Sequence, residues 1–286
     1  MDETTRYWVR LDRDVITVGG PEADTYLQGQ LSQDVAGIGP GRSAWSWLLA
    51  PSGKVDALLR VSRTARGGLV LDTDAGWGEA VLGRLQKFKL RTRADLELVA
   101  ATVIGLRGPG WDPQQAGAGA DVVAAPPWPG MDGADLIYTG GPAAFAPPAG
   151  AVEMSPEAYR AVRIAAGQPR MGAELTDRTI PGETGLVGFT VSFTKGCYTG
   201  QELVARIDSR GGHVPRHLRR LSLDAEVAPG AELLDGDKPA GTVTSVAPAP
   251  DGGWVALGYV RRGFEPPCTL SAGPDGPRAR VEALPW

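Results

Sequence analysis

The sequence predicts an α+β protein with a separate all-β region near its C-terminal end. Strand-like and helix-like segments alternate over the first part of the chain, which is typical of α+β folds. From Leu218 onward the pattern contains only short strands separated by Gly and Pro turns. About 70 residues of this kind are typical of a small β-barrel. Hydrophobic residues make up 42% of the 286 residues, which is enough for a globular core.

The N-terminal part alternates strands with helices. Residues 7–18 alternate as one strand, and a Gly-Gly-Pro break follows them. The remaining expected elements are a helix over 21–29, strands over 44–49 and 55–61 joined by a turn at 51–54, a strand over 68–71, a helix over 77–88 and one strand over 96–106. This order resembles a ferredoxin-like unit.

The later segments show clearer start and stop signals. Residues 107–150 are rich in Gly, Pro and Ala and are expected to form loops around a strand at 136–138. A helix is expected from Ser155 to Ala166, because Ser is a preferred N-cap and Pro156 suits the first helical position. The expected barrel strands cover 219–223, 241–246, 254–260 and 278–284.

Composition narrows the class of protein. With 29 basic and 33 acidic residues the formal charge is −4, which weighs against a strongly polyanion-seeking protein. Two cysteines cannot form a disulfide framework, and their scarcity favours the cytoplasm. The acidic, polar start of the chain is unlike a signal peptide. No apolar run reaches the roughly 18 to 20 residues of a membrane helix.

Several familiar catalytic signatures are absent. The chain has no GxxxxGK[ST], no GxGxxG between strand and helix, no GxSxG and no HExxH. His213 and His217 have a spacing that zinc can use, but no paired cysteines accompany them. An iron–sulfur cluster normally needs about four thiolates, so one chain with two cysteines cannot hold it alone. We therefore expect no bound metal.

The segment Lys195-Gly196-Cys197-Tyr198-Thr199-Gly200-Gln201-Glu202 concentrates the most chemistry. Thr199 and Glu202 have capping-box spacing, which predicts a helix starting near Gly200. A thiol just before a helix N-terminus and beside Lys195 is biased toward thiolate. The alternative is a tight corner between a loop and a helix that is filled by a small apolar thiol.

Two groups of basic residues invite a choice between an anion site and a solvated face. The first group follows the Cys197 segment and contains Arg206, Arg210, Arg216, Arg219 and Arg220. It is suited to a ligand's carboxylates or to an RNA backbone. The second group comprises Arg84, Lys87, Lys89, Arg91 and Arg93, which are read as the solvated end of a helix.

On these residues the chain resembles the YgfZ family of folate-binding proteins, which are relatives of the T-protein, the aminomethyltransferase of glycine cleavage. Residues 191–206 contain the family's K-G-C-Y-x-G-Q-E signature without a mismatch. Residues 26–35 resemble the family's N-terminal block, and residues 163–169 resemble a third block. The resemblance covers most of the chain.

The resemblance implies a T-protein-like ring of three domains around a channel for tetrahydrofolate. A discontinuous folate-binding domain would comprise residues 1–45 and 150–212, a ferredoxin-like α+β domain residues 46–149, and the β-barrel residues 213–286. It also implies a role in assembling or repairing iron–sulfur enzymes, and through them in tRNA modification. The expected partners are therefore a folate and iron–sulfur client enzymes, with tRNA as a further candidate.

The site residues follow from the same resemblance. Cys197 would be the reactive thiol beside the folate, and Lys195 would help to hold its thiolate. Arg206 and Arg210 would bind the carboxylates of the folate tail. The other folate contacts implied are Tyr159, Gln28, Asp34, Asp56, Tyr198, Gln201 and Glu202.

Two departures from the T-protein bear on the activity. Ala165 replaces a Glu that grips the pterin, and Asp56 is followed by Ala57 instead of a second Asp. The first hypothesis is therefore a folate-dependent accessory protein that uses Cys197. The alternatives are an aminomethyltransferase in which Asp56 directs the amine, and a tRNA-binding module on the surface from Arg206 to Arg220.

Overall fold

In the computed structural model, which describes residues 5–140, 145–250 and 252–286, the chain forms two five-stranded sheets and a closed six-stranded barrel. The strands are β1 (Tyr7–Leu11), β2 (Arg13–Gly19), β3 (Ser43–Leu49), β4 (Val55–Arg63), β5 (Leu69–Asp74), β6 (Asp95–Val99), β7 (Thr102–Arg107), β8 (Val122–Ala124), β9 (Gly133–Tyr138), β10 (Val152–Glu153), β11 (Arg216–Leu223), β12 (Glu232–Asp235), β13 (Lys238–Pro248), β14 (Trp254–Arg261), β15 (Cys268–Ala272) and β16 (Arg278–Glu282). The helices are α1 (Ala23–Gln30), α2 (Gly78–Phe88), α3 (Pro113–Ala116), α4 (Pro156–Ala165), α5 (Pro181–Thr184), α6 (Val187–Thr190) and α7 (Gln201–Ser209). Within the described ranges, no helix has the length and apolar character needed to cross a membrane.

The first sheet has the order β3-β4-β5-β2-β6, and all its neighbours are antiparallel. Its succession β2-α1-β4-β5-α2-β6 is that of a ferredoxin-like unit, and β3 is added at the edge. The α+β prediction is confirmed. The expected domain boundary at residues 45/46 falls inside β3, and this sheet draws strands from both sides of it.

The second sheet has the order β10-β1-β7-β9-β8 and lies next to the first. Two predictions were wrong here, because residues 7–18 and 96–106 each form two strands instead of one. In both cases the first strand lies in one sheet and the second in the other. Alternation has the same period in both strands, so the crossing between sheets leaves no signal in the pattern.

The C-terminal region is the predicted barrel, with the order β11-β14-β13-β12-β15-β16 and closure between β11 and β16. Its interior is a compact apolar cluster that includes Leu221, Val243 and Val281. The prediction missed β12 and β15, which are only four and five residues long. Strands this short between turn residues carry too few alternations to be recognised.

Helix α4 joins the barrel to the rest of the molecule. It begins as expected, since the side chain of Ser155 accepts a hydrogen bond from the amide of Ala158 at 3.2 Å. Ala161 and Ile164 pack against the outside of the barrel near Leu257. The face of α4 is therefore set by barrel packing, and Tyr159, Arg163 and Ala165 border the cavities described below.

Candidate functional site

The Cys197 segment is clamped onto the loop that follows α1. The ammonium of Lys195 donates hydrogen bonds to three backbone carbonyls, those of Gln28 at 2.5 Å, Leu31 at 2.6 Å and Gln33 at 2.9 Å. A lysine ammonium has three N–H donors, so this arrangement uses all of them. Lys195 thus ties together two segments that are more than 160 positions apart in the sequence.

Backbone hydrogen bonds extend this clamp on both sides of Lys195. The amide of Ser192 donates to the carbonyl of Ser32 at 3.0 Å, and that of Thr199 to the carbonyl of Gly29 at 3.2 Å. Burial lowers the pKa of Lys195 to about 8, with Asp34 acting in the opposite direction. At neutral pH the amine is still mostly protonated and can donate all three bonds.

Cys197 projects from this clamp and is exposed to solvent. The expectation that Lys195 holds the Cys197 thiolate needs correcting, because the three carbonyls take every N–H of the ammonium. Lys195 instead fixes the loop from which the thiol projects. The alternative of a thiol that fills an apolar corner does not agree with the exposure of Cys197.

Gln28 and Asp34 brace their own loop. The amide group of Gln28 donates to the carboxylate of Asp34 at 2.8 Å, and its oxygen accepts from the amide of Ala36 at 3.2 Å. Both amide atoms of Gln28 are therefore engaged within the loop. This brace keeps the carbonyls that face Lys195 in place, which gives both residues a positioning part in the site.

The start of α7 differs from the predicted capping box. The N-cap is Gly200 in the left-handed conformation, and no side chain caps the helix. Gln201 accepts a hydrogen bond from the amide of Tyr198 at 3.1 Å, while Glu202 is exposed. Capping by Thr199 would require an extended Ncap residue at that position, whereas the positive φ of Gly200 moves the helix start by one residue.

The turn between β3 and β4 approaches the start of α7 too closely for larger residues. A Cβ on Gly200 would lie 2.5 Å from the carbonyl oxygen of Ala50, and a Cβ on Gly53 would lie 2.4 Å from the Cβ of Leu203. Both glycines also have positive φ. The backbone contact therefore explains the glycines in this turn and in the signature, and it brings the Cys197 segment next to the hairpin that carries Asp56.

Asp56 lies at a cavity of about 380 Å³ between the hairpin, α2 and the segment 171–177. We call this cavity the Asp56 pocket. Its side walls are mostly apolar and include Trp77, Val81 and Met171. Two carboxylates, those of Asp56 and Asp177, also border it. An apolar slot with one or two placed polar groups is the usual form of a small-molecule site.

Arg84 orients Asp56 and links this pocket to the clamp. Its guanidinium donates to Oδ2 of Asp56 at 3.0 Å, to the carbonyl of Leu49 at 3.0 Å and to the side chain of Gln30 at 3.4 Å. Gln30 lies between two residues whose carbonyls are held by the Cys197 segment. The N-terminal block, the hairpin and the signature thus form one contiguous structure.

Arg84 was missed by the sequence analysis, which read its group of basic residues as a solvated helix end. Helical spacing contained the signal, because residues 77, 80, 81 and 84 fall on one face. Of that basic group, only Arg84 is among the residues that line the Asp56 pocket. A charged residue on the same helix face as Trp77 and Val81 is thus a sequence signal for a pocket residue.

Tyr159 lies in a different cavity, of about 310 Å³, which Asp56 and Cys197 do not line. Its hydroxyl accepts a hydrogen bond from Arg107 at 3.1 Å, and the guanidinium lies 5.2 Å from its ring centroid. The structure therefore separates Tyr159 from the other implied folate contacts. Ala165 is also separate, since it borders a groove on the barrel.

A buried chain of ion pairs behind Tyr159 escaped the sequence analysis entirely. Arg60 pairs with Asp72 at 2.9 Å and with Asp135 at 2.8 Å, and Arg107 also pairs with Asp135 at 2.8 Å. Burial raises the pKa of Asp135, but the two arginines outweigh it, so that the pKa lies below its ordinary value. These pairs cross between the two sheets, which local sequence patterns do not report.

Arg206 and Arg210 lie exposed on and after α7. Neither is among the residues that line the Asp56 pocket or the Tyr159 cavity. The structure thus does not bring them to either cavity, and the cation beside the Asp56 pocket is Arg84.

The sequence is similar to those of several known proteins. No family model matches the sequence. The chain is 30% identical over 272 residues to a "tRNA-modifying protein YgfZ" from Edwardsiella ictaluri, covering 83% of this chain and 79% of that protein. It is 28% identical over 296 residues to a protein of the same name from Klebsiella pneumoniae, covering 94% and 89%.

Among solved structures, the fold is similar to the crystal structure of glycine cleavage system aminomethyltransferase T from Bartonella henselae. The TM-score is 0.83 at 21% identity, covering 98% of this chain and 86% of that chain. This likeness confirms the T-protein-like fold. Together with the uninterrupted Lys195–Glu202 signature, the identity to relatives over most of both chains shows that this chain belongs to the YgfZ family.

Proposed function

We propose that the protein binds a reduced folate, tetrahydrofolate or a one-carbon derivative, in the Asp56 pocket. We further propose that it acts as an accessory protein for iron–sulfur enzymes that modify tRNA. The observation that carries the proposal is the combination of apolar walls with an oriented carboxylate in a cavity of about 380 Å³. The relatives named as tRNA-modifying proteins support the second part.

The residues of the Asp56 pocket fit a pterin ring. Arg84 holds one oxygen of Asp56, and among the described residues no group takes the other oxygen, so it is free to accept a ligand's N–H. The 2-amino group and the adjacent ring N–H of a pterin are donors that suit a carboxylate. Trp77 and Met171 supply apolar surfaces for the flat ring.

Aminomethyl transfer receives less support from this arrangement. Ala57, where the T-protein has a second Asp, points into the core and is fully buried. A carboxylate at the position of Ala57 would have to be buried without a partner, which is costly. The fold shared with an aminomethyltransferase does not supply the missing group.

Cys197 supplies the chemistry that the pocket lacks. Its thiol is exposed on a loop whose backbone is held by Lys195, Ser192 and Thr199. A thiol held at a rigid, accessible position suits contact with another protein, and we assign it to work on the iron–sulfur client. Folate and client would then be bound at neighbouring places joined by the turn at Gly53.

The folate proposal is tested by calorimetry with tetrahydrofolate. Asp56→Asn removes the charge but keeps the shape, and a lost hydrogen bond to a charged group costs about 1.5–3 kcal/mol, so the dissociation constant should rise roughly 10- to 150-fold. Asp208→Asn, an exposed carboxylate on α7, is the matched control and should bind as the parent does.

Two outcomes would overturn the pocket assignment. One is equal affinity in Asp56→Asn and the parent protein. The other is a loss of affinity in Tyr159→Ala with Asp56→Asn unaffected, which would move the folate to the Tyr159 cavity.

The accessory function is tested in cells that lack their own copy of the protein. Cys197→Ser should fail to restore the modified nucleosides of tRNA, measured by mass spectrometry, while Cys268→Ser restores them. Full restoration by Cys197→Ser would remove the thiol from the proposal.

A further inference from the structure

A groove of about 730 Å³ runs over the outside of the barrel beside the C-terminal end of α4. We call it the barrel groove. It is separate from the Asp56 pocket and from the Tyr159 cavity, with which it shares no lining residue. The side chains that matter for its chemistry are Arg220, Ser222, Trp254, Thr269, Arg278 and Arg280.

The unpaired charge on the described lining residues of the barrel groove is positive. Arg220 pairs with Glu282 at 2.6 Å, so these two charges neutralise one another. Arg278 and Arg280 are both exposed, and no side-chain hydrogen bond or ion pair engages either of them within the described ranges. The remaining carboxylate among the described lining residues is Asp224. Among its described lining residues, the groove therefore offers two unengaged guanidinium groups against one carboxylate.

The barrel strands arrange these groups in a row. Arg278 and Arg280 are two residues apart on β16, so their side chains leave the same face of the strand about 6.6 Å apart. Two hydroxyl residues lie opposite Arg280 in register, Ser222 on β11 and Thr269 on β15. The Ser222 hydroxyl donates to Glu282 at 3.1 Å, so Thr269 is the hydroxyl left for a ligand. The two guanidinium groups and the Thr269 hydroxyl are donors that suit the oxygen acceptors of a phosphodiester chain.

Trp254 adds a surface of a different kind. It starts β14, packs partly on the barrel core and leaves the rest of its ring toward the groove. A nucleic-acid base can stack on such a ring, and arginines beside an aromatic residue are typical of single-stranded nucleic-acid sites.

We propose that the barrel groove binds the phosphodiester backbone of RNA, with Arg278 and Arg280 on phosphates and Trp254 under a base. The identification of that RNA as tRNA rests on the function proposed above. The barrel groove shares Arg220 with the Arg206–Arg220 surface, to which the sequence analysis assigned RNA contacts, whereas Arg278 and Arg280 lie outside that surface. It also explains how a chain with a net charge of −4 can hold RNA at one place.

The test measures binding of a fluorescein-labelled, unmodified tRNA transcript by anisotropy at several salt concentrations. Each phosphate contact that is lost should lower the slope of log affinity against log salt by about 1, so Arg278→Ala/Arg280→Ala should lower it by about 2. Arg160→Ala/Arg170→Ala makes the same change in charge at exposed residues of the Tyr159 cavity and is the matched control. Asp224→Asn removes a repulsive charge and should tighten binding.

The outcomes separate this proposal from the folate proposal. Equal slopes in the two double variants, or no binding by the parent protein at 50 mM salt, would overturn the groove as an RNA site. Displacement of the transcript by tetrahydrofolate would place the folate in the groove and overturn it as well. Calorimetry with tetrahydrofolate on Arg278→Ala/Arg280→Ala should give the parent affinity, whichever result the RNA test gives.

Discussion

Replacing Gly200 with Ala tests whether the hairpin turn and the start of α7 are in contact as the structure shows. A left-handed φ of +81° costs an alanine about 1–2 kcal/mol. The new Cβ would also lie 2.5 Å from the carbonyl oxygen of Ala50 and 2.8 Å from the Cβ of Leu49. Backbone must shift to relieve this overlap, which adds about 1–3 kcal/mol.

The expected loss is therefore about 2–5 kcal/mol in the free energy of unfolding. For a chain of this size the melting temperature should fall by roughly 5–15 °C, measured by differential scanning calorimetry. Urea denaturation followed by tryptophan fluorescence gives the free energy directly. Because the turn also supports the Asp56 pocket, the same variant should bind tetrahydrofolate more weakly than the parent.

Gly196→Ala is the matched control in the same signature. Its φ is not in the left-handed region, and a Cβ there would meet nothing within 4 Å. This variant should stay within about 0.5 kcal/mol of the parent. Equal stability of Gly200→Ala and Gly196→Ala would refute the close approach of the hairpin turn to α7.

Three further predictions concern the cysteines, the clamp and the buried ion pairs. Iodoacetamide at pH 7.5 should alkylate Cys197 at least several-fold faster than Cys268. Cys197 is exposed, whereas the pKa of Cys268 is raised by burial and by the nearby Asp235 and Glu265. Equal alkylation rates, measured by peptide mass spectrometry, would contradict this. Lys195→Met should lower the free energy of unfolding by about 2–4 kcal/mol, because three carbonyls lose a charged donor. A protease should then cleave the loop after α1 sooner than in the parent protein. An unchanged denaturation midpoint would argue against the clamp. Asp135→Asn should cost about 3–5 kcal/mol at pH 7. The pKa of Asp135 in the folded protein lies below its ordinary value, so the carboxylate stabilises the fold above about pH 4 and loses this effect as the pH falls further. Below about pH 4, the stability of Asp135→Asn should therefore depend less on pH than that of the parent protein.

Much of the local structure was predictable from residue patterns. Ser155 and Pro156 determined where α4 begins, because capping depends only on neighbouring atoms. The barrel was recognised from its short strands and turn residues, although β12 and β15 were too short to be seen. The two long strand predictions were wrong because a crossing between sheets does not interrupt the alternation of buried and exposed residues.

Some features of the candidate site were also predictable from the sequence, and others were not. The sequence by itself determined that residues 195–202 are special, since the order Lys-Gly-Cys-Tyr is visible without coordinates and matches a family signature. It could not determine what Lys195 touches, because its acceptors are carbonyls more than 160 positions away, and every residue type has a carbonyl. Only the tertiary structure showed that Lys195 binds the loop after α1 instead of the Cys197 thiolate. It also showed that Arg84 lines the Asp56 pocket and that Tyr159 lies in a separate cavity. These decisions depend on long-range packing of α2, the hairpin and the two sheets, whereas sequence patterns report mainly on neighbours along the chain.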